Sequence, residues 1–474
     1  MHVISAHTRK RERLRYPKAS IEILREHAKL IPAGNSMKTM LVAMGTAGDV
    51  FPFIGIGRAL QRRGHTVQLA SLPLHRQFVE SAGLEFLEIA GVPGAAGDPD
   101  FYHPRRSMEI VANRVIIPGI RPVYELVSKL DPLEWTIVSD WFSYGARLAQ
   151  EERRFRVITC IVTPFALRSV HSMPIPPGVP LPAWAPEVVR SGFVKLVARL
   201  WDRMLGPPLN AFRAQLHLAP VRDIWYNWSL SPDRVIGLFP EWFAPRAPDW
   251  PAQFRHGGYA VYDQGGDQPL PAELQQLPGP IVVFCAGSAG PIASRFFDAA
   301  VAASRGRPWH AVLLTGRNAG FSTALPENVI NFPYIPLSRL LPLASAIVHH
   351  GGSGTLSLAL ASGVPQIVVP LGHDQYDNAA RLTRLGVCTG ITGKSIQPAA
   401  LLKAIQDTLG NRELSARCRA LAPKARTDVS LHRICDHIEA EAIPNSEQST
   451  WGAGRSDLRS EHGSGPEPGI QAFA

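Results

Sequence analysis

AIVHHGGSGTLSLALASGVPQIVVPLGHDQYDNAARLTRLG, residues 346–386, alternates two apolar runs, AIVHH and PQIVVPL, with two stretches of helical length that open on GGSGT and on HDQ. Apolar runs of this size read as strands buried on both faces, and a helix-sized insert supplies the crossover of a parallel pair. The pattern extends upstream through IVVFCAGS (281–288), a helix near 292–305, HAVLLTG (310–316) and NVINFPYI (328–335), and downstream to a helix near 397–409. An earlier series of the same kind runs from TMLVAM (39–44) through HTVQLAS (65–71), LEFLEIA (84–90), TIVSD (136–140), RVITCIVT (156–163) and RVIGLFP (234–240), with helices near 143–151 and 187–217. The fold class is therefore α/β, with two Rossmann-like, doubly wound parallel-sheet domains in series and a ligand cleft at the carboxyl ends of both sheets.

The expected organisation is a first domain over 37–243 and a second over 281–420, separated by a Pro- and Gly-crowded stretch, 244–280, that reads as a linker without an element of its own. A C-terminal helix over 421–443 is expected to pack back on the first domain. The Ser/Gly/Glu-rich tail 444–474 has no apolar period and is expected to be disordered.

With 474 residues the chain exceeds one hydrophobic core, which excludes a single small binding module. Hydrophobic residues at 45% and charged residues at 19% exclude a chain that is disordered throughout. Half of the net charge of +10 sits in residues 1–36, where eight Lys/Arg face three Glu, and no basic stripe with interleaved aromatics follows. Nucleic acid is therefore not an expected partner, whereas weak peripheral contact with an anionic membrane is allowed. The basic extension 1–36 lacks an apolar core before a small-residue cleavage site, so it reads as a transit-like leader, a surface arm or an over-read upstream of Met37. Every apolar run is too short to cross a bilayer. Five scattered cysteines point to a reducing, cytoplasmic setting, and Cys418, His432, Cys435 and His437 lack the spacing of a zinc site. Asp98 and Asp100, in a Gly/Pro loop far from the motifs below, also suggest no metal.

The segment 349–386 carries the chemistry. Glycines that admit a ligand to the backbone precede a helix starting at Ser353 to Thr355, and the unpaired N–H groups of such a helix form an anion site. A glycine turn that merely packs helix on strand explains the glycines, but not His349, His350, Ser353 and Thr355 together with the HDQ group at the same sheet edge. In the first domain GTAGDVFP (45–52) follows the first strand and opens a helix, yet its glycines do not fall as a dinucleotide fingerprint, which disfavours a dehydrogenase. Asp49 there is either a general base, if the cleft raises its pKa, or an N-cap for a helix beginning at Val50 or Phe51.

These residues resemble the family 1 nucleotide-sugar glycosyltransferases of GT-B architecture, over essentially residues 38–443. Through MGTAGDVFPFIGIGRAL, LFPEWFAPRAPDWP and SLALASGVPQIVVPLGHDQYDNAARLTRLG the chain is most similar to the rhamnosyltransferase catalytic subunits of rhamnolipid synthesis. The resemblance implies a nucleoside diphosphate sugar as co-substrate and no cofactor. It places the donor diphosphate on His350, Ser353, Gly354, Thr355, Gly287 and Ser288, and the donor sugar on Asp374 and Gln375. The nucleobase falls to Tyr334 and Ile335, where the plant enzymes have Trp-x-Pro-Gln. Leu337 stands in place of the Gln, so UDP is not implied over dTDP. Asp49 occupies the place of the catalytic His of many relatives, and Asp140 matches the acid that orients that His. Asp140 is assigned a structural or an acceptor-facing role, and His103, with Arg105 and Arg106, either meets an acceptor carboxylate or forms a solvated basic loop.

The expected function is inverting transfer of a hexose or deoxyhexose to a hydroxyl of a hydrophobic acceptor, with positive charge on His350 and the helix start stabilising the leaving diphosphate in place of a metal. A hydroxyacyl fatty acid is one such acceptor. Trp135, Trp141, Phe142, Trp184, Trp201, Trp225, Trp228 and Trp242 supply either core packing or the lining of an apolar acceptor pocket. The alternatives are a nucleotide-sugar epimerase of the same architecture and a non-catalytic accessory subunit.

Overall fold

The computed structural model describes residues 36–95, 98–104, 106–173, 184–266, 269–287, 292–316, 324–390 and 396–442. Residues 1–35, the tail from 443, Ser288 and Arg105 lie outside the described residues.

Two parallel sheets form the frame. The first contains β1 (Lys38–Val42), β2 (Thr66–Ser71), β3 (Glu85–Glu88), β4 (Trp135–Asp140), β5 (Arg156–Ile161), β6 (Arg234–Gly237) and β7 (Phe254–His256), in the spatial order 3-2-1-4-5-6-7. The second contains β8 (Ile281–Cys285), β9 (His310–Leu314), β10 (Val329–Phe332), β11 (Ala346–His349), β12 (Gln366–Val368) and β13 (Cys388–Gly390), in the order 10-9-8-11-12-13. The strand order reverses between β1 and β4 in one sheet and between β8 and β11 in the other. Such switch points open a crevice at the strand ends.

Alternation along the strands explains why they read as continuous apolar runs. Met40, Val42 and Met44 enter one core with Ile137, Val157 and Val235. Leu41 and Ala43 enter the opposite one with Val138, Ile158 and Ile236. The second core is closed by α1 (Ala47–Arg62), through Val50, Phe53 and Ile54, and by the C-terminal helix, through Ile434, Cys435 and Ile438. The other helices needed below are α2 (Tyr144–Arg153), α3 (Glu187–Gln215), α4 (Ile292–Ser304), α5 (Ser353–Ser362), α6 (Gln375–Arg384) and α7 (Pro398–Gly410), so the C-terminal helix, Thr427–Ala442, is α8.

The stretch 244–280 is more than a linker. Phe254 is fully buried and β7 pairs in parallel with β6, Val235 opposite Phe254, as the edge of the first sheet. Three residues among prolines and glycines carry no period, so only long-range pairing reveals this strand. Helix α8 lies on the first domain. Arg63 pairs with Asp436 at 2.7 Å and Glu439 at 2.8 Å, and Arg234 with Glu441. Cys435 is thereby buried in the first-domain core while Cys418 lies against Val387 in the second. Among the described residues no group of His, Cys, Asp or Glu is arranged to hold a metal, and no helix is long and apolar enough to cross a membrane.

Candidate active site

At the first switch point the turn after β1 is pinned from two sides. Asp140, at the end of β4, accepts the Met44 N–H at 2.5 Å on Oδ2, and the Ser143 hydroxyl at 2.6 Å and Phe142 N–H at 3.1 Å on Oδ1. Buried His75 donates from Nε2 to the Gly45 carbonyl at 3.1 Å. The peptide group before Met44 and the one after Gly45 are therefore fixed. Gly45 itself has φ +104°, and a Cβ there would lie 2.5 Å from Asp49 Oδ2. Helix α1 begins at Ala47 with Thr46 as its N-cap, and Asp49 is the third helical residue, its Oδ2 accepting the Thr46 N–H at 2.8 Å and hydroxyl at 3.0 Å. Asp49 is thus not the N-cap. Removal from water pushes its carboxyl up to about 6 against the lowering effect of the Thr46 donors.

At the second switch point the two histidines separate. His349 is enclosed, its Nδ1 accepting the Gly351 N–H at 3.1 Å and its Nε2 donating to Gln366 Oε1 at 2.9 Å. His350 turns toward the turn after β8, between Gly287 and Gly352. A Cβ on Gly287 would come within 2.5 Å of its Cε1, and one on Gly352 would strike its Nε2. The His350 Nδ1 has no hydrogen-bond partner among the described residues. Burial pushes its pKa down to about 4, so the imidazole is neutral near pH 7, which corrects the expectation of a positive charge there. The first-turn amides of Ser353, Gly354 and Thr355, which no carbonyl of α5 can satisfy, are the groups here that can receive an anion. Space beside the Gly354 Cα is open.

The two constellations face each other. Helices α1 and α5 are in contact across the domain boundary. Asp374, beside the start of α5, accepts from Asn378 Nδ2 at 2.8 Å and sits 3.5 Å from the Ser353 hydroxyl. Its carboxyl is pushed up to about 6 by burial and then by repulsion from Asp49, and Asp140 to about 7 by burial, the Asp49 charge adding to it. Asp49, Asp374 and the start of α5 thus share one crevice.

Other expectations divide. Gln375 is present, but its Oε1 accepts the N–H groups of Leu371 at 2.8 Å and Gly372 at 3.0 Å, which leaves only the amide nitrogen for a ligand. The Tyr334 ring is half exposed, and its hydroxyl lies 3.0 Å from Asp263 Oδ1 and 2.8 Å from the Gln264 carbonyl. Ile335 and Leu337 are buried in the second-domain core, so the side chain of Ile335 cannot meet a base. Buried Asp140 has both oxygens engaged and braces the Asp49 turn instead of meeting an acceptor. Arg106 pairs with Asp100 at 2.8 Å and Arg114 with Asp98 at 3.0 Å, so Arg106 and both acids of the 98–100 string are engaged. Exposed His103 follows Phe101 and Tyr102, whose rings lie 4.5 Å and 5.5 Å from His373 across the cleft. Trp141, Trp201, Trp225 and Trp228 are buried and pack as core, whereas Trp184 is exposed.

Sequence reasoning missed His75, Asp263 and the contact of Phe101 and Tyr102 with His373. Only the last had a local signal, an aromatic pair in a Gly/Pro loop and a His inside HDQ.

Residues 39–124 match the glycosyltransferase family 28 N-terminal domain, and residues 310–440 the erythromycin biosynthesis protein CIII-like C-terminal domain. The chain is 28% identical to the O-mycaminosyltylonolide 6-deoxyallosyltransferase of Streptomyces fradiae, over 88% of this chain and 100% of that protein. It is 25% identical to a sterol 3-beta-glucosyltransferase of Saccharomyces cerevisiae over 83% of this chain, and spans 34% of that longer protein. A spinosyn rhamnosyltransferase solved with thymidine diphosphate superposes with a TM-score of 0.60 at 20% identity, covering 84% of this chain and all of that one.

Proposed function

We propose, from the premise that the chain is a glycosyltransferase of GT-B fold, that it moves a deoxyhexose from a thymidine diphosphate sugar to a hydroxyl of a hydrophobic acceptor, with inversion at the anomeric carbon. The observation that carries this reading is the meeting of Asp49 with Asp374 and the start of α5 in one crevice. The acceptor hydroxyl gives its proton to Asp49 as its oxygen bonds to the anomeric carbon, and the carbon–oxygen bond to the diphosphate breaks on the opposite face. Asp374 and the Gln375 amide nitrogen hold sugar hydroxyls. The α5 amides and one N–H of His350 receive the departing charge without a divalent ion. Two features support the donor: the exposed Tyr334 ring, and the deoxysugar and thymidine diphosphate named for relatives.

The finer acceptor reading, rhamnosyl transfer to a hydroxyacyl fatty acid, rests on the motif resemblance, while relatives are named for a tylonolide and for sterols. One assay tests both. The purified chain is given dTDP- or UDP-linked sugars with a hydroxyacyl fatty acid, a sterol or a polyketide aglycone, in EDTA, and products are weighed by mass spectrometry. A deoxyhexose mass gain from the dTDP donor is expected. Transfer from UDP-glucose alone would overturn the donor assignment, and magnesium-dependent rescue would overturn the metal-free mechanism.

A further inference from the structure

Helix α3 buries Val194, Ala198, Trp201, Leu205, Leu209 and Phe212 against the first domain. Trp201 stacks on Trp225 at 3.7 Å, and Trp225 meets Trp141 edge-on at 4.1 Å, next to Asp140. Through this stack the inner face of α3 reaches the end of β4, at the crevice.

Its outer face is not the polar face of an ordinary surface helix. Val189, Leu196 and Leu200 are each roughly half exposed and, at about 100° per residue, fall within about 40° of one another on the helix. Val188, 77% exposed, and Trp184, just before the helix and 82% exposed, extend the apolar surface. The other large apolar side chains exposed among the described residues, Leu74, Leu133, Tyr334 and Val429, are scattered singly, as on any soluble surface. Cations border the stripe, exposed Lys195, Arg199 and Arg203 on one flank and partly buried Arg190 on the other, and none of them forms an ion pair among the described residues. Of the two acids in this part of α3, Asp202 is engaged by the N–H groups of Asp223 and Ile224, which leaves Glu187 against four cations.

We propose that this face of α3 docks on an anionic lipid surface, with Trp184, Val189, Leu196 and Leu200 in the headgroup–acyl boundary and the flanking cations among the headgroups. An apolar stripe edged by unpaired basic side chains, with a Trp at its margin, fits the two layers of such an interface at once. A second protein copy would bring the same four cations against themselves, which disfavours a symmetric pairing. Docking would place the acceptor domain against a bilayer in which a hydrophobic acceptor dissolves. That consequence rests on the function proposed above, but the docking itself does not, because vesicle binding requires no turnover.

The test uses the full chain in flotation with vesicles of phosphatidylcholine, alone or mixed with phosphatidylglycerol. Wild type is expected to float with the mixed vesicles and to be released by salt. Leu196→Glu/Leu200→Glu is expected to lose binding roughly tenfold or more, and Arg199→Glu/Arg203→Glu to lose the preference for anionic lipid. Both variants should keep the wild-type circular dichroism spectrum and unfolding midpoint, since all four side chains face outward. Failure of wild type to float, or equal flotation by Leu196→Glu/Leu200→Glu, overturns the proposal, the latter assigning the contact to another region such as residues 1–36. Sedimentation showing a wild-type dimer that Leu196→Glu/Leu200→Glu dissolves would overturn it in favour of a second copy of this chain.

Discussion

The carboxyl of Asp49 is held at about 6 by two opposed effects, burial against the two Thr46 donors. A base works only when ionised, so turnover should fall as pH drops through about 6 and level off above it. Asp49→Asn should remove that acid limb and lower kcat by a factor on the order of 10² to 10⁴, with donor affinity within a few fold in calorimetry. A variant that keeps the limb would assign it to Asp374 or Asp140, which titrate in the same range. His350 gives a prediction of opposite sign. Its pKa of about 4 in the free protein must rise when a diphosphate arrives beside it. Nucleoside diphosphate binding should therefore take up protons at pH values between about 4 and the raised value. Calorimetry in buffers of different ionisation enthalpy measures this, and the uptake should vanish in His350→Ala. The residue chemistry was legible in part: Asp49, His350 and Asp374 could be placed from motif and strand end. The charge state of His350 could not, because burial is set by Gly287 and Gly352, one of them distant in sequence.

The first turn of α1 shows how an element carries chemistry. Its N-cap is Thr46, and Asp49 closes the turn by accepting from the Thr46 amide and hydroxyl, so the carboxylate proposed as the base is also part of the cap. Thr46→Ala removes the hydroxyl donor, which lowers the Asp49 pKa, so the acid limb of the activity profile should move to higher pH. The same change should cost about 1 kcal/mol of stability, read from urea unfolding. An unmoved limb with lost stability would leave Thr46 as a cap alone. From sequence the helix start falls at Val50 or Phe51 and Asp49 reads as cap or base. The structure begins the helix at Ala47, because the bond that settles it is local in space but needs Gly45 at φ +104°.

Helix α8 is held on the first domain. Glu439 loses water on burial, but its bonds to His65 at 2.9 Å and Arg63 at 2.8 Å outweigh that cost and hold its pKa below the ordinary 4.5. A depressed acid contributes stability above its unfolded pKa and loses it as pH falls through the folded one. Glu439→Gln should therefore destabilise the protein by about 1 kcal/mol at pH 7, given partial exposure, and by progressively less below pH 4.5. Ile434→Ala, in the fully buried seam between α8 and β6, should cost about 2 to 4 kcal/mol by chemical denaturation. A much smaller loss would mean that α8 only rests on the domain.

The sequence alone determined two parallel α/β units, the glycine-opened turns at their strand ends and most of the residues that gather there, because a strand covered on both faces and a helix start each leave a local, periodic trace. Tertiary structure decided what such traces do not encode. It added β7 to the first sheet, sent Ile335 into the core, engaged Gln375 with its own turn, and set His75 and Asp140 to brace Asp49. It also left one face of α3 apolar and uncovered. In each case the deciding partner is far along the chain, and only the packing of one domain, or of two domains on each other, brings it within hydrogen-bonding or van der Waals reach.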